Sequence, residues 1–188
     1  MAFEDPRDLL FLDETSTPTK LTPLRARAPR GQRAPGQVSH RRWSNVTLLA
    51  TLTPQGMGES VLINGAANRQ VFNAFITQRL VPSLRRGQLV VMDNLSVHKS
   101  AIARDAIEAA GCHLVFLPAY SPDCNPIELA FAKIKQALRR AQPRSYTEVL
   151  TAVQPAINAV TAADAHGFFA HVGFTLPTQD GQPLRTPL

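Results

Sequence analysis

Three acids stand where apolar segments end. Asp13 closes "LLFLDE", Asp93 closes "LVVMDN", and Glu128 opens the segment after the proline-broken "LPAYSPDCNP". Taken singly, each has an ordinary reading. An Asp at a strand end is usually a turn residue, and a Glu at a helix start is favoured by the helix dipole. Taken as a set they describe a different chemistry. Clustered carboxylates repel one another unless a cation neutralises them. Hard oxygen ligands suit Mg²⁺, with Mn²⁺ as a substitute. Two such ions about 4 Å apart activate a water or hydroxyl and stabilise the leaving oxygen of a phosphodiester. Glu14 points to the opposite face of a strand from Asp13, which gives it a supporting place rather than a ligand's place. Asp123 is assigned to organising its turn.

For the acids to meet, the elements that carry them must share one edge. "DLLFLDET" (8–15) reads as a buried strand. "NVTLLATLT" (45–53) and "GESVLIN" (58–64), joined by "PQG", read as a hairpin. Val71, Phe72, Phe75, Ile76 and Leu80 recur at helical spacing, so 68–84 reads as a helix capped by Asn68. "QLVVMDN" (88–94) is apolar throughout, as a strand covered on both faces should be. A helix over 100–111 begins at Ser100 and stops at Gly111. "HLVFLP" (113–118) is the last strand. Helices follow over 126–141, with Pro126 in the first turn, and over 145–160, with a Ser145-x-x-Glu148 capping box. Turns join the early strands and helices join the later ones. The expected fold is therefore α/β, a mixed five-stranded sheet flanked by helices. Its first three strands run antiparallel and its last two run parallel to the first. Parallel strands put their C-terminal ends on one edge, where function collects in such sheets.

Composition narrows the partners. The 188 residues suffice for one domain with a real core, and 44% hydrophobic content argues against wholesale disorder. No apolar run approaches the ~20 residues a membrane span needs. "MAFEDPRDLL" lacks the basic and apolar regions of a signal peptide, so an intracellular location is expected. Cys112 and Cys124 make neither a disulfide framework nor a zinc site and read as small, partly buried apolar residues. The formal charge is +6, and its distribution matters more than its total. No acid lies between Glu14 and Glu59, yet that interval holds Lys20, Arg25, Arg27, Arg30, Arg33, Arg41 and Arg42. A solvated face normally mixes signs, so a one-sign stretch of this length favours phosphate contact over a plain basic loop.

The segments "FLDETS", "APRGQRAPGQ", "VVMDNLSVHKS" and "LVFLPAYSPDCNPIELAFAKIK" resemble the DDE transposases of bacterial insertion sequences, in the branch related to the mariner superfamily. From position 93 to position 128 is 35 steps, so 34 residues intervene, which is similar to that family's aspartate-to-glutamate spacing. The resemblance spans about Leu9 to Leu150. It implies an RNase H-like core over 1–165, followed by a loosely ordered tail over 166–188. It implies Asp13, Asp93 and Glu128 as catalytic residues and as ligands of two Mg²⁺ ions. It implies hydrolysis at transposon ends, then attack of the freed 3′-hydroxyl on target DNA. Asn94, His98 and Asn125 fall at matching positions as supporting residues. Asn94 either positions a water or phosphate or closes the strand end. His98 either contacts DNA or steadies the pocket, or is a surface or capping residue. Asn125 braces the loop that presents Glu128.

The partners that follow are double-stranded DNA, a second copy of the chain in the active complex, and a separate helix-turn-helix polypeptide, since no such region precedes the first strand. No membrane is among them, and the bacterial cytoplasm at the nucleoid is the implied location. Arg25, Arg27, Arg30, Arg33, Arg41, Arg42, Lys99 and Lys133 are the expected DNA contacts. Lys135, Arg139 and Arg140 extend that path only in part, because Lys133 and Lys135 do not share a helix face. Trp43 reads first as a loop anchor and second as a base-stacking platform. Two other readings use the same residues: a nuclease of this fold without strand transfer, and a DNA-binding remnant that no longer cuts.

Overall fold

The computed structural model describes residues 8–18, 21, 27–33, 45–118 and 121–174. Arg25, Arg41, Arg42 and Trp43 lie outside the described residues. β1 (Leu9–Pro18) is the central strand. On one side it pairs antiparallel with β2 (Asn45–Thr53), which turns through a tight hairpin into β3 (Gly56–Asn64). On the other side it pairs parallel with β4 (Leu89–Met92), which pairs parallel with β5 (His113–Phe116). The order β3-β2-β1-β4-β5 is the mixed sheet expected from the sequence, and the fold is RNase H-like. β1 and β2 begin and end within a few residues of the expected bounds. β4 and β5 are shorter than their apolar runs, since regular pairing stops at Met92 and Phe116.

Strand alternation splits the core in two. Leu9 and Phe11 face one layer, packed on α4 (Ile127–Ala141), α5 (Tyr146–Asn158) and α6 (Ala162–His171). Leu10 and Leu12 face the other, packed on α1 (Arg69–Phe75), the π turn that continues it, and α3 (Ala101–Ala109). Buried residues Ile127, Ala130, Phe131, Ile134 and Leu138 follow helical spacing and give α4 one apolar stripe. The helix ends at Gln142, which takes the left-handed conformation (φ 49°) and donates its N–H to the Leu138 carbonyl.

The helix expected over 68–84 starts on Asn68 as anticipated, with its side chain accepting from Val71 N–H. It is not one regular helix. Residues Ile76–Leu80 form a π turn, and α2 (Val81–Ser83) follows. Val81 N–H reaches back to the Ile76 carbonyl directly before Pro82, which has no N–H to give and crowds the preceding turn.

The second departure is α6. A loose tail is expected over 166–188, but a helix runs Ala162–His171, while residues 175–188 lie outside the described residues. Thr161 caps it through a reciprocal bond with Asp164. Phe169 is fully buried and meets Phe11 edge-on, with ring centroids 5.5 Å apart. Phe174 packs on the same two rings. Gly167, in the middle of the pattern, hid this helix from a propensity reading. Among the described residues no helix is long and apolar enough to cross a membrane. Cys112 is buried as expected, whereas Cys124 is exposed, because it sits in the 3₁₀ turn Pro122–Cys124 on the outside of the loop.

If α6 is integral to the core, Phe169→Ala costs about 3–5 kcal/mol of unfolding free energy. Urea denaturation checks this, and an unchanged midpoint would make α6 an appendage.

Candidate carboxylate site at the edge of the parallel strands

The last parallel pair between β1 and β4 is Leu12 with Met92. Asp13 and Asp93 are the next residue on each strand, so the register alone delivers both acids to the same edge. β5 continues beside them, where Leu117 N–H bonds the Met92 carbonyl at 2.8 Å. The chain then turns through the 3₁₀ segment, and Pro126 stands as the N-cap of α4 with φ −65°. Its fixed φ and missing N–H are suited to a helix start. Glu128 follows in the first turn, exposed, its backbone N–H on the Asn125 carbonyl.

Asp13 is buried, with only 5% of its surface exposed. Its Oδ1 accepts the Glu14 N–H and its Oδ2 accepts Asn125 Nδ2–H, both at 2.7 Å. Burial pushes its carboxyl up to about 7. The Glu14 N–H opposes that rise, the charges of Asp93 and Glu128 add to it, and the His98 charge draws it down. The elevation is chiefly the cost of burying the charged form, with Asp93 and Glu128 adding to it.

Asn125 binds strand to helix. Its amide holds Asp13, and its carbonyl accepts the Glu128 N–H at 3.2 Å. Its Oδ1 is buried without a hydrogen-bond partner. A buried carbonyl oxygen and a poorly compensated carboxylate are both donors suited to a hard cation. The donor chemistry therefore fits Mg²⁺ or Mn²⁺. The carboxylates do not, as they stand, close a group of three around one point among the described residues. Asp93 is engaged by His98 and Glu128 is exposed, as mutually repelling charges would be.

His98 is not a surface residue. It is completely buried between two acids. Nδ1 bonds Asp93 Oδ1, and Nε2 bonds Glu14 Oε2 at 2.8 Å. Its ring stacks on Phe72 with centroids 4.8 Å apart. Burial alone would lower its pKa, but the hydrogen bonds and charges of Asp93 and Glu14 overcome that and push it up to about 9. Asp93 is also partly desolvated, yet the His98 hydrogen bond, the Leu95 N–H and the His98 charge hold it below the usual carboxylate range.

The structure thus brings Asp13, Asp93, Glu128, His98 and Asn125 to one edge. Asn94 is exposed directly beside Asp93. Arg27, Arg30, Arg33 and Lys99 are exposed, with Arg27–Arg33 in a turn closed by Gln32 N–H on the Pro29 carbonyl. Lys133 does not extend a free basic path: its Nζ pairs with Asp164 Oδ2 at 2.5 Å and ties α4 to α6. That pairing holds the Asp164 carboxyl down to about 2, with the Thr161 bonds assisting. Phe72 was not anticipated as the platform under His98, because nothing in a helical apolar pattern distinguishes a ring that stacks from one that only packs. A signal for Glu14 existed, since an acid follows Asp13 on the opposite strand face and a histidine follows Asp93 by five positions.

A family model described as DDE superfamily endonuclease matches residues 8–150. No curated protein matches the chain. Solved structures similar to it include the Mos1 mariner paired-end complex with Mn, at TM-score 0.72 and 19% identity, over 90% of this chain and 54% of that one. The Mos1 transposase paired-end complex with left transposon end gives 0.70 and 19%, over 88% and 52%. The Mos1 transposase catalytic domain with Raltegravir and Mg gives 0.62 and 17%, over 90% and 82%. The chain spans about half the length of the Mos1 chains in the paired-end complexes.

The two raised pKa values fix a pH dependence for the metal-free protein. His98 binds its proton more tightly folded (about 9) than at its ordinary 6.5. Its stabilisation is therefore complete below about pH 6.5 and lost as pH rises to 9. Asp13, at about 7 against 3.8, acts in the same sense lower down, withdrawing stability between about pH 4 and 7. Denaturation of the wild type and His98→Gln at pH 6.5 and 9 should show a smaller loss in the variant; equal losses would contradict this assignment.

Proposed function

The chain belongs to the DDE superfamily endonuclease family, and we propose from that premise that it is the catalytic domain of a DNA transposase. The observation that carries the reading is geometric: the β1–β4 register sets Asp13 and Asp93 at one edge, and Asn125 bonds both Asp13 and the backbone N–H of Glu128. In this reading Asp13, Asp93 and Glu128 hold two Mg²⁺ ions, with Mn²⁺ as a substitute. Bound there, the ions supply an activated water or sugar hydroxyl and charge for the leaving oxygen. The family membership and the presence of Mg, Mn and transposon-end DNA with Mos1 support this.

The chain's own part is positioning. Asn125 keeps Asp13 aimed and fixes the start of α4, so Glu128 leaves at a set angle. Asn94 stands exposed beside the acids, where a water or phosphate can be held. Arg27, Arg30, Arg33 and Lys99 contact phosphates of double-stranded DNA, which gives affinity without sequence selectivity. In the first step, the water oxygen bonds phosphorus, the bond to the 3′ oxygen breaks, and that oxygen leaves with a proton as a 3′-hydroxyl. In the second, this hydroxyl gives up its proton and bonds a target phosphorus, and the target's own 3′ oxygen is displaced and takes up a proton. One phosphodiester replaces another, so no external energy source is needed. Two copies acting on paired ends, and a helix-turn-helix region on the same or another polypeptide, complete the proposal.

Glu128→Gln preserves shape and removes one charge. It should reduce Mg²⁺-dependent cleavage of transposon-end DNA by on the order of 10³-fold or more, with an unchanged melting temperature. A pre-cleaved end supplied with plasmid separates the reactions: joined product supports a transposase, and cutting alone makes the chain a nuclease. Wild-type rates in Glu128→Gln would sink the reading.

A further inference from the structure

Glu14 and His98 are absorbed by none of the chemistry above, although both are polar groups held under the site. β1 presents successive residues to opposite faces, so it gives Asp13 to the α4 side and Glu14 to the side of α1 and α3. Glu14 Oε2 lies 2.8 Å from His98 Nε2, and the other ring nitrogen bonds Asp93 Oδ1. Phe72 supports the ring from one face, and the backbone fixes its base, through His98 N–H on the Leu95 carbonyl and Ser100 N–H on the His98 carbonyl. The imidazole therefore has no freedom to turn. Asp93 Oδ1 also accepts the Leu95 N–H at 3.1 Å, so that oxygen already has two donors. Its Oδ2 is the oxygen left for a ligand.

We propose that Glu14 and His98 are positioning residues: a carboxylate–imidazole strut, anchored on β1, that clamps Oδ1 of Asp93 and presents Oδ2 alone to a divalent cation. This rests on the reading of Asp93 as a metal ligand. The strut ties the two aspartate-bearing strands together through side chains, because Glu14 is the chain neighbour of Asp13 and His98 is the hydrogen-bond partner of Asp93. A displacement of β1 then moves both acids together. Partners one step removed from a metal orient the ligand and set its affinity, and their loss typically costs about 10–100-fold.

The test is Mn²⁺ titration by calorimetry of the full chain, with the melting temperature recorded for each variant. Glu14→Ala removes the anchor and should weaken Mn²⁺ binding about 10–100-fold. Glu14→Gln keeps an oxygen that accepts from His98 and should stay within a few-fold of wild type. Its retained affinity distinguishes positioning from the simple loss of a charge, and it covers the case in which Glu14→Ala folds poorly. Among the Glu14 variants, two results overturn the strut: Glu14→Ala binding as wild type does, or Glu14→Gln weakened as much as Glu14→Ala. Asp93→Asn separates the two levels. If it binds Mn²⁺ like wild type, the ligand reading falls and the strut with it. If it fails to bind while Glu14→Ala binds normally, only the strut falls.

Discussion

Repulsion among carboxylates gathered at one sheet edge is the constraint on which the rest of this structure depends. Asp13 sits in the middle of it on the central strand, where its burial first, and then Asp93 and Glu128, oppose its ionisation. An arrangement of that kind costs stability, and the surrounding structure bears it. β1 is paired along both sides, so the strand carrying Asp13 cannot shift without breaking two ladders. Each oxygen of Asp13 has one donor, from the Glu14 N–H and from Asn125. Asp93 has His98 and the Leu95 N–H. Both aspartates, one buried and one half-buried, are therefore fixed in direction by these bonds, which is the preorganisation that electrostatic catalysis relies on.

The two faces of the sheet divide this work. The α4 face carries Asp13, Asn125 and Glu128, and its core runs from Phe11 through Phe131 to Phe169. The α1 and α3 face carries Glu14 and His98, above Phe72. Alternation along β1 is the link between them, since a one-residue slip would exchange Asp13 and Glu14 and leave neither with its partner. The ion pair of Lys133 with Asp164 belongs to the same support, because it ties α6 to the helix that carries Glu128.

Much of this was legible in the sequence, for identifiable reasons. β4 announces itself as an unbroken apolar run because both of its faces are covered, and the turn-joined and helix-joined strands fix the parallel and antiparallel halves. The three acids were legible because each closes or opens an apolar element. Other features depend on tertiary contact and leave no local trace. The buried ring of His98 looks like a helix-start residue until Glu14, 84 positions away, is seen on its far nitrogen. Lys133 looks like a free cation until Asp164 meets it. α6 was missed because Gly167 weakens its propensity, although Thr161 and Asp164 cap it and Phe169 anchors it.

The most direct test of the central claim is uptake of Mn²⁺ by the wild type and by Asp13→Asn, followed through the electron paramagnetic resonance of the free ion. The substitution keeps the shape of the side chain and removes the charge at the centre of the cluster. If the acids converge to hold a divalent cation, the wild type depletes the free signal and Asp13→Asn leaves it nearly whole, with affinity lower by on the order of 100-fold. Equal uptake by the two proteins would contradict the account, because the buried aspartate on β1 would then have no part in binding the ion.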